Sequence, residues 1–257
     1  MSIRIEKIGA KLKPLTILLG FIVVMCGFAG LIWPKLPITD SPSYFDFADK
    51  RSFLGIDNTF DVITNLGFVV VAIYGLLLIR KNKNLSKEYL IMGLILSAAI
   101  LLTFVGSSYF HLLPNPQRLF WDRLPMTLIF GAMTSLLIID RIDRYVGVIV
   151  ASILIPLSAF SAIGWHLDWL TLKPYIMLQF GSLVFVFLIA LLRPKGLIPN
   201  SAIWWSLGLY SLAKGLETFD TQIFELTTIL SGHSLKHLVA AVALINFLSF
   251  LRIKSSR

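Results

Sequence analysis

Three histidines at helical spacing are the residues of this sequence best suited to chemistry. His233 and His237 are four residues apart in an apolar run, so a helix would project both imidazoles from one face. His111 ends another apolar run one helical turn after Ser107, and Asp122 follows after a short connection. Three neutral imidazoles and one open position are the usual surroundings of a catalytic zinc ion. We therefore predict that His111, His233 and His237 bind zinc.

Asp122 and Ser107 would supply the polar groups that a hydrolytic zinc site needs. Asp122 is expected to hydrogen-bond the water at the metal, take up its proton and pass that proton to a departing amine. Ser107 can donate a hydrogen bond to the developing oxyanion or orient the water. Less specific interpretations stay open, because histidine pairs at helical spacing also hydrogen-bond their neighbours. Asp122 could pair with Arg123, and Ser107 could be a small packing residue.

The segments that carry these residues are long apolar runs. Apolar residues make up 56% of the 257 and charged residues 14%, with a mean hydropathy of +0.81, which excludes a soluble globular or a disordered chain. A bilayer core needs about 20 apolar residues per helix. The predicted spans are Leu15–Trp33, Thr59–Ile79, Tyr89–Phe110, Leu119–Ile139, Tyr145–Trp165, Tyr175–Leu192, Ser201–Glu217 and Gly232–Leu251. We predict an all-α polytopic membrane helix bundle, with residues 1–257 forming a single transmembrane domain.

The distribution of charge predicts the orientation. With eight spans both termini share one side, and that side holds 15 of the 23 Lys and Arg residues, which places it in the cytoplasm. The three histidines, Ser107 and Asp122 then lie in the outer third of the membrane. The net charge of +9 is thereby explained without a nucleic-acid partner. The single Cys26 excludes an intramolecular disulfide and a cysteine-based zinc site, and the pattern fits a bacterial inner membrane.

Tracts around the candidate residues resemble the alkaline ceramidase family. This family belongs to the CREST superfamily of membrane hydrolases, with the adiponectin-receptor-like proteins. The resemblance rests on Ser107-x-x-x-His111, Asp122 and His233-x-x-x-His237, and on the tracts GSSYFHLLP, RLFWDRLPMT and SGHSLKHLVAA. It covers about residues 46–251 in pieces. It implies a seven-helix core with residues 15–33 as an extra N-terminal span, zinc on the three histidines, and catalytic roles for Asp122 and Ser107.

The resemblance also implies a substrate. The family hydrolyses the amide bond of ceramides, which are N-acyl sphingoid bases, to a long-chain base and a fatty acid. A zinc-dependent lipid amidase that takes its substrate from the surrounding bilayer is therefore expected. A second class of function stays open, namely a receptor-like or regulatory membrane protein with a structural zinc. The sequence leaves the particular lipid and the oligomeric state undetermined.

A calcium site is a further feature that the resemblance implies. The ceramidases hold calcium through an N-terminal acidic segment, for which Asp46, Asp49 and Asn58 are the matching residues here. Arg51 places a cation where a ligand is expected, and calcium needs six to eight oxygen ligands. The alternative is that Lys50 and Arg51 neutralise Asp46, Asp49 and Asp61.

Three more charged residues lie near the outer ends of the last two predicted spans. Lys214 and Glu217 are three residues apart and are expected to pair. Lys236 lies between the two histidines of the last span and is expected to pair with Glu217 or Asp220. Contact between Lys236 and a lipid head group is the alternative.

Overall fold

The computed structural model describes residues 45–252 and scattered positions between residues 16 and 32. The described positions of that earlier stretch are helical. The rest of the predicted first span, Leu15–Trp33, lies outside the described residues.

The described part of the chain from residue 45 onward is helical, as predicted. Its elements are α1 (Thr59–Ile63), α2 (Leu66–Lys81), α3 (Lys87–Leu112), α4 (Pro116–Arg141), α5 (Arg144–His166), α6 (Lys173–Leu192), α7 (Asn200–Thr218), α8 (Asp220–Thr227), α9 (Gly232–Leu248) and a 3₁₀ turn over Ser249–Arg252. Connections of a few residues join most of these helices, so successive long helices run in opposite directions.

Six stretches among the described residues are long and apolar enough to cross a membrane. They are Thr59–Lys81, Lys87–Leu112, Pro116–Arg141, Arg144–His166, Lys173–Leu192 and Gly232–Arg252. They indicate a multi-pass membrane protein. Helix α7 covers the predicted span Ser201–Glu217 but is not among the six, and it carries Lys214 and Glu217 near its end. The count of seven core spans plus one extra span stays a prediction.

Helix α4 is the most buried of the six stretches and packs between α3 and α5. Its approach to α3 is closest at Gly106, where an added Cβ would lie 1.9 Å from the backbone oxygen of Trp121. Only glycine allows the two backbones to come this near. The approach sets Ser107 of α3 beside Asp122 of α4, so one glycine determines the geometry of this part of the site.

Polar side chains cap the N-termini of two helices that carry candidate residues, α4 and α9. The Asn115 side chain accepts a hydrogen bond from the backbone nitrogen of Arg118 at 2.9 Å and starts α4. Ser231 accepts from the backbone nitrogen of Ser234 at 3.0 Å and starts α9. Because α3 ends where α4 and α9 begin, His111, Asp122 and the α9 histidines come to the same end of the bundle.

Candidate functional site

The structure brings the three predicted histidine ligands together. His111 at the end of α3 and His233 and His237 in the first turns of α9 each offer one ligand atom, and these atoms all lie within 4.8 Å of one another. Each residue is at most 3% exposed. The ring centroids are 4.7 to 5.0 Å apart. Three buried imidazoles in this arrangement can bind a metal ion.

The spacing of two ring nitrogens is compatible with a shared metal ion. The Nε2 atoms of His111 and His233 are 3.2 Å apart. Two nitrogens at about 2.0–2.1 Å from a tetrahedral zinc ion would be about 3.3 Å apart. His237 leaves one ring nitrogen for a metal, because its Nδ1 lies 3.1 Å from Thr64 Oγ1. Such outer hydrogen bonds commonly fix the orientation of a metal-binding imidazole.

Two carboxylates that the sequence analysis did not assign to the site hold the start of α9. Asp61 Oδ1 accepts hydrogen bonds from Ser234 Oγ at 2.6 Å and Ser231 Oγ at 3.3 Å, and the residue is fully buried. Asp220 accepts from the backbone nitrogen of His233 at 2.7 Å. The position of Asp61 inside a predicted span was a signal that could have identified it. Asp220 gave no comparable signal.

The segment before α1 covers the histidines. The Phe47 ring packs edge-on against His233 and His111, with centroid distances of 4.4 and 4.9 Å. The next residue, Ala48, donates its backbone N–H to Asp220 Oδ2 at 2.9 Å. Phe47 is 7% exposed, so its ring shields two imidazoles from the surroundings on this side. No pattern in the sequence predicted this contact.

Arg51 anchors the same segment to the connection between α8 and α9. Its guanidinium donates to both carboxylate oxygens of Asp49, at 2.8 and 2.6 Å, and to the Ile229 carbonyl at 2.6 Å. It also lies over the rings of Phe60 and Phe224. The hydrogen bond that Arg51 donates to the Asp49 carboxylate raises the pKa of Arg51 above its usual value, so the cation persists.

The three residues matched to a calcium site each have another partner. Asp46 pairs with Lys50 at 2.5 Å, and Asp49 pairs with Arg51. The Asn58 side chain donates to the His111 carbonyl at 2.8 Å. These two ion pairs agree with the alternative interpretation, in which Lys50 and Arg51 neutralise acidic residues of this segment. Calcium binding stays a prediction. It would require Asp46 and Asp49 to leave their ion pairs with Lys50 and Arg51.

Ser107 of α3 and Asp122 of α4 are close enough for the serine hydroxyl to interact with the carboxylate. Both residues line a cavity of about 600 Å³, and His237 lines it as well. Most of the remaining wall is apolar, with Phe68, Met126 and many other side chains from five helices. The predicted catalytic pair and one predicted metal ligand therefore face the same largely apolar space.

Three charged residues of α7 and α9 line the same cavity. Glu217 accepts from Lys214 at 2.6 Å through Oε2 and from Lys236 at 2.9 Å through Oε1. The expected pairing of Lys214 with Glu217 is confirmed, and Glu217 is a partner of Lys236. The ion pair between Glu217 and Lys236 joins α7 to α9 beside His237.

No protein-family model matches this chain, and no curated protein matches it.

Proposed function

We propose that the protein is a zinc-dependent intramembrane hydrolase of lipid amide bonds, with ceramide-like N-acyl amines as substrates. One observation carries the proposal: three buried imidazoles lie next to a largely apolar cavity whose wall also holds the Ser107–Asp122 pair. A structural metal site needs neither a carboxylate held by a serine nor a cavity beside the metal.

The cavity suits a lipid chain. Its volume of about 600 Å³ lies within the range of ligand sites, roughly 300–1,000 Å³. Apolar side chains such as Phe130, Met133 and Leu244 form much of its wall. An acyl chain among them would place its amide near Asp122 and His237, where polar groups are concentrated.

The residues divide the work of amide hydrolysis. A zinc ion on the three imidazoles would supply a water of lowered pKa and polarise the amide carbonyl. Asp122 accepts the proton of the attacking water and returns it to the departing amine nitrogen. Ser107 lies beside Asp122 and would orient this carboxylate through its hydroxyl group. Phe47 excludes bulk water from the imidazoles on the opposite side.

Replacement of Asp122 by asparagine tests the proposal, because it keeps the size of the side chain and removes the base. Asp122→Asn should retain zinc and lose about 10²–10⁴-fold in turnover, the usual contribution of a general acid–base group. Asp168→Asn, at an exposed position in the α5–α6 connection, is the matched control and should behave like the wild type. Zinc content, thermal stability and turnover of ceramides and other N-acyl lipids are measured on the same preparations.

Two results would contradict the proposal. A stable, zinc-loaded Asp122→Asn protein with near-wild-type turnover would remove Asp122 from the mechanism. A zinc-loaded wild type that cleaves none of the N-acyl lipids would favour the receptor-like alternative with a structural zinc.

A further inference from the structure

Two neutral polar side chains interrupt the apolar part of the cavity wall. Gln179 of α6 donates through Nε2 to the hydroxyl oxygen of Tyr210 of α7 at 2.5 Å, and both residues line the cavity. Gln179 is only 5% exposed. Burying a polar group in an apolar environment costs free energy that its hydrogen bonds must offset. A site for a plain hydrocarbon chain would be lined at lower cost by two apolar side chains.

The Gln179–Tyr210 pair keeps hydrogen-bonding capacity that the protein leaves unused. The amide has two N–H donors and the phenol has one O–H donor, so the bond between them leaves two donors in either orientation of the amide. Within the part of the chain that the structure describes, this bond is the only hydrogen bond of either side chain. The hydroxyls of Thr103 and Ser206, which also line the cavity, donate to backbone carbonyls of their own helices at 2.9 and 2.8 Å. The pair therefore differs from these hydroxyls in offering donors to a ligand.

The pair lies at a definite distance from the polar end of the cavity. The Tyr210 ring packs edge-on against the Phe130 ring of α4, with a centroid distance of 5.8 Å. Phe130 follows Asp122 by eight residues on α4, which corresponds to about 12 Å along the helix. Tyr210 precedes Glu217 by seven residues on α7, which corresponds to about 10 Å. Two helices thus place the pair roughly 10–12 Å from the candidate catalytic residues.

This distance selects one part of a lipid chain. An extended chain advances about 1.2 Å per bond, so roughly eight to ten bonds separate an amide carbonyl at Asp122 from an atom beside Tyr210. In an acyl chain of ordinary length this atom lies near the middle. A methylene group there leaves the donors of the pair unused, whereas a hydroxyl oxygen at the same atom accepts a hydrogen bond from them.

We infer that Gln179 and Tyr210 form a subsite for a hydroxyl group near the middle of the acyl chain. The preferred substrates are then neutral, ceramide-like N-acyl amines whose acyl chain is hydroxylated about nine bonds from the amide carbonyl. The inference rests on the proposed amidase function and narrows its substrate class. The hydroxyl takes no part in the reaction. Its hydrogen bonds to the pair fix how far the chain enters the cavity and thereby hold the amide at Asp122.

Three matched probes test the subsite without turnover. The parent probe is N-(2-hydroxyethyl)octadecane-1-sulfonamide, which has no amide bond to hydrolyse, and the other two carry one hydroxyl at chain carbon 9 or 14. Calorimetric titration of the zinc-loaded protein in detergent gives the three affinities. A hydroxyl against an apolar wall should weaken binding about 5- to 100-fold, and we expect this loss for the 14-hydroxy probe. The 9-hydroxy probe should avoid the loss and bind at least as tightly as the parent.

Substitutions of the pair should remove the preference for the 9-hydroxy probe. Tyr210→Phe and Gln179→Met delete one partner each while keeping its size, and each should lower the ratio of the 9-hydroxy to the 14-hydroxy affinity about three- to tenfold. The double variant should bring this ratio close to one. Tyr145→Phe, at the exposed start of α5, is the matched control and should leave the ratio unchanged. The ratio is the readout, because a pair that only joined α6 to α7 would affect all three probes equally.

Equal binding of the two hydroxylated probes by the wild type would overturn the inference, and so would an unchanged ratio in the double variant. Turnover of the three corresponding N-acylethanolamines is measured separately. A preference for the 9-hydroxy probe without cleavage of any of these amides would support the subsite and contradict the amidase function. Cleavage of the parent amide without a preference between hydroxyl positions would support the amidase function and contradict the subsite.

Discussion

Gly106→Ala should separate α3 from α4 at the candidate site. The new methyl carbon would lie 1.9 Å from the Trp121 carbonyl oxygen. Close C–H···O contacts keep carbon and oxygen about 3.3 Å apart, so relief requires a movement of roughly 1.4 Å. Both atoms belong to helical backbone or are fixed to it, and no side-chain rotation can remove the clash. The movement would pull Asp122 away from Ser107.

The expected loss has two parts. Overpacking of this kind costs about 1–3 kcal/mol of stability, and a displacement of about 1 Å at a catalytic group costs on the order of 10²-fold in rate. Thermal unfolding in detergent and turnover of an N-acyl lipid measure the two effects. The control is Gly208→Ala in α7, where an added Cβ meets nothing within 4 Å. Gly208→Ala should gain about 0.4–1 kcal/mol from the lower entropy of the unfolded chain. Equal stability and activity of the two variants would refute the close approach of α3 and α4.

Three other predictions concern the metal, the covering segment and the topology. The double variant His233→Ala/His237→Ala should lose bound zinc, and full zinc occupancy by metal analysis would exclude the three-histidine site. Arg51→Met leaves the buried Asp49 carboxylate without its guanidinium and should lower the free energy of unfolding by about 1–3 kcal/mol, and an added Asp49→Asn should recover most of that loss. Reporter fusions after the C-terminal residue and within residues 40–57 should report opposite sides of the membrane, and identical signals would disprove the predicted number of spans.

Helical spacing and the alternation of the predicted spans were enough to predict that the three histidines lie together. The four-residue separation of His233 and His237 fixes a shared helix face whatever the fold around it. His111 and Asp122 were predicted to join them because short connections reverse the chain, so that the end of α3 and the starts of α4 and α9 share one end of the bundle. The structure confirms that the three histidines meet there.

The supporting contacts could not be predicted in the same way. Phe47 lies in a segment without helical periodicity, and its packing on His233 depends on how residues 45–58 fold back over the bundle. Asp61 accepts a hydrogen bond from Ser234, which lies 173 positions later in the chain. Asp220 accepts one from His233, which lies 13 positions later. Such contacts follow from tertiary packing, and charge alone suggested different partners for Asp61.

The Asp220 side chain connects the segment before α1 to the histidine cluster. Asp220 accepts from Ala48 with one oxygen and from His233 with the other, so the residue next to Phe47 and the first histidine of α9 are tied to the same carboxylate. Arg51 anchors the far end of the segment to the residues that precede α9. A displacement of the segment would therefore remove the Phe47 ring from two imidazoles and the Ala48 hydrogen bond from the carboxylate that accepts from His233. Since the cavity meets the site from the side of His237, Ser107 and Asp122, the cover at Phe47 leaves the proposed lipid path untouched. The two faces of the histidine cluster therefore differ: one is closed by the chain before α1, and the other faces the cavity that we propose to be the substrate site.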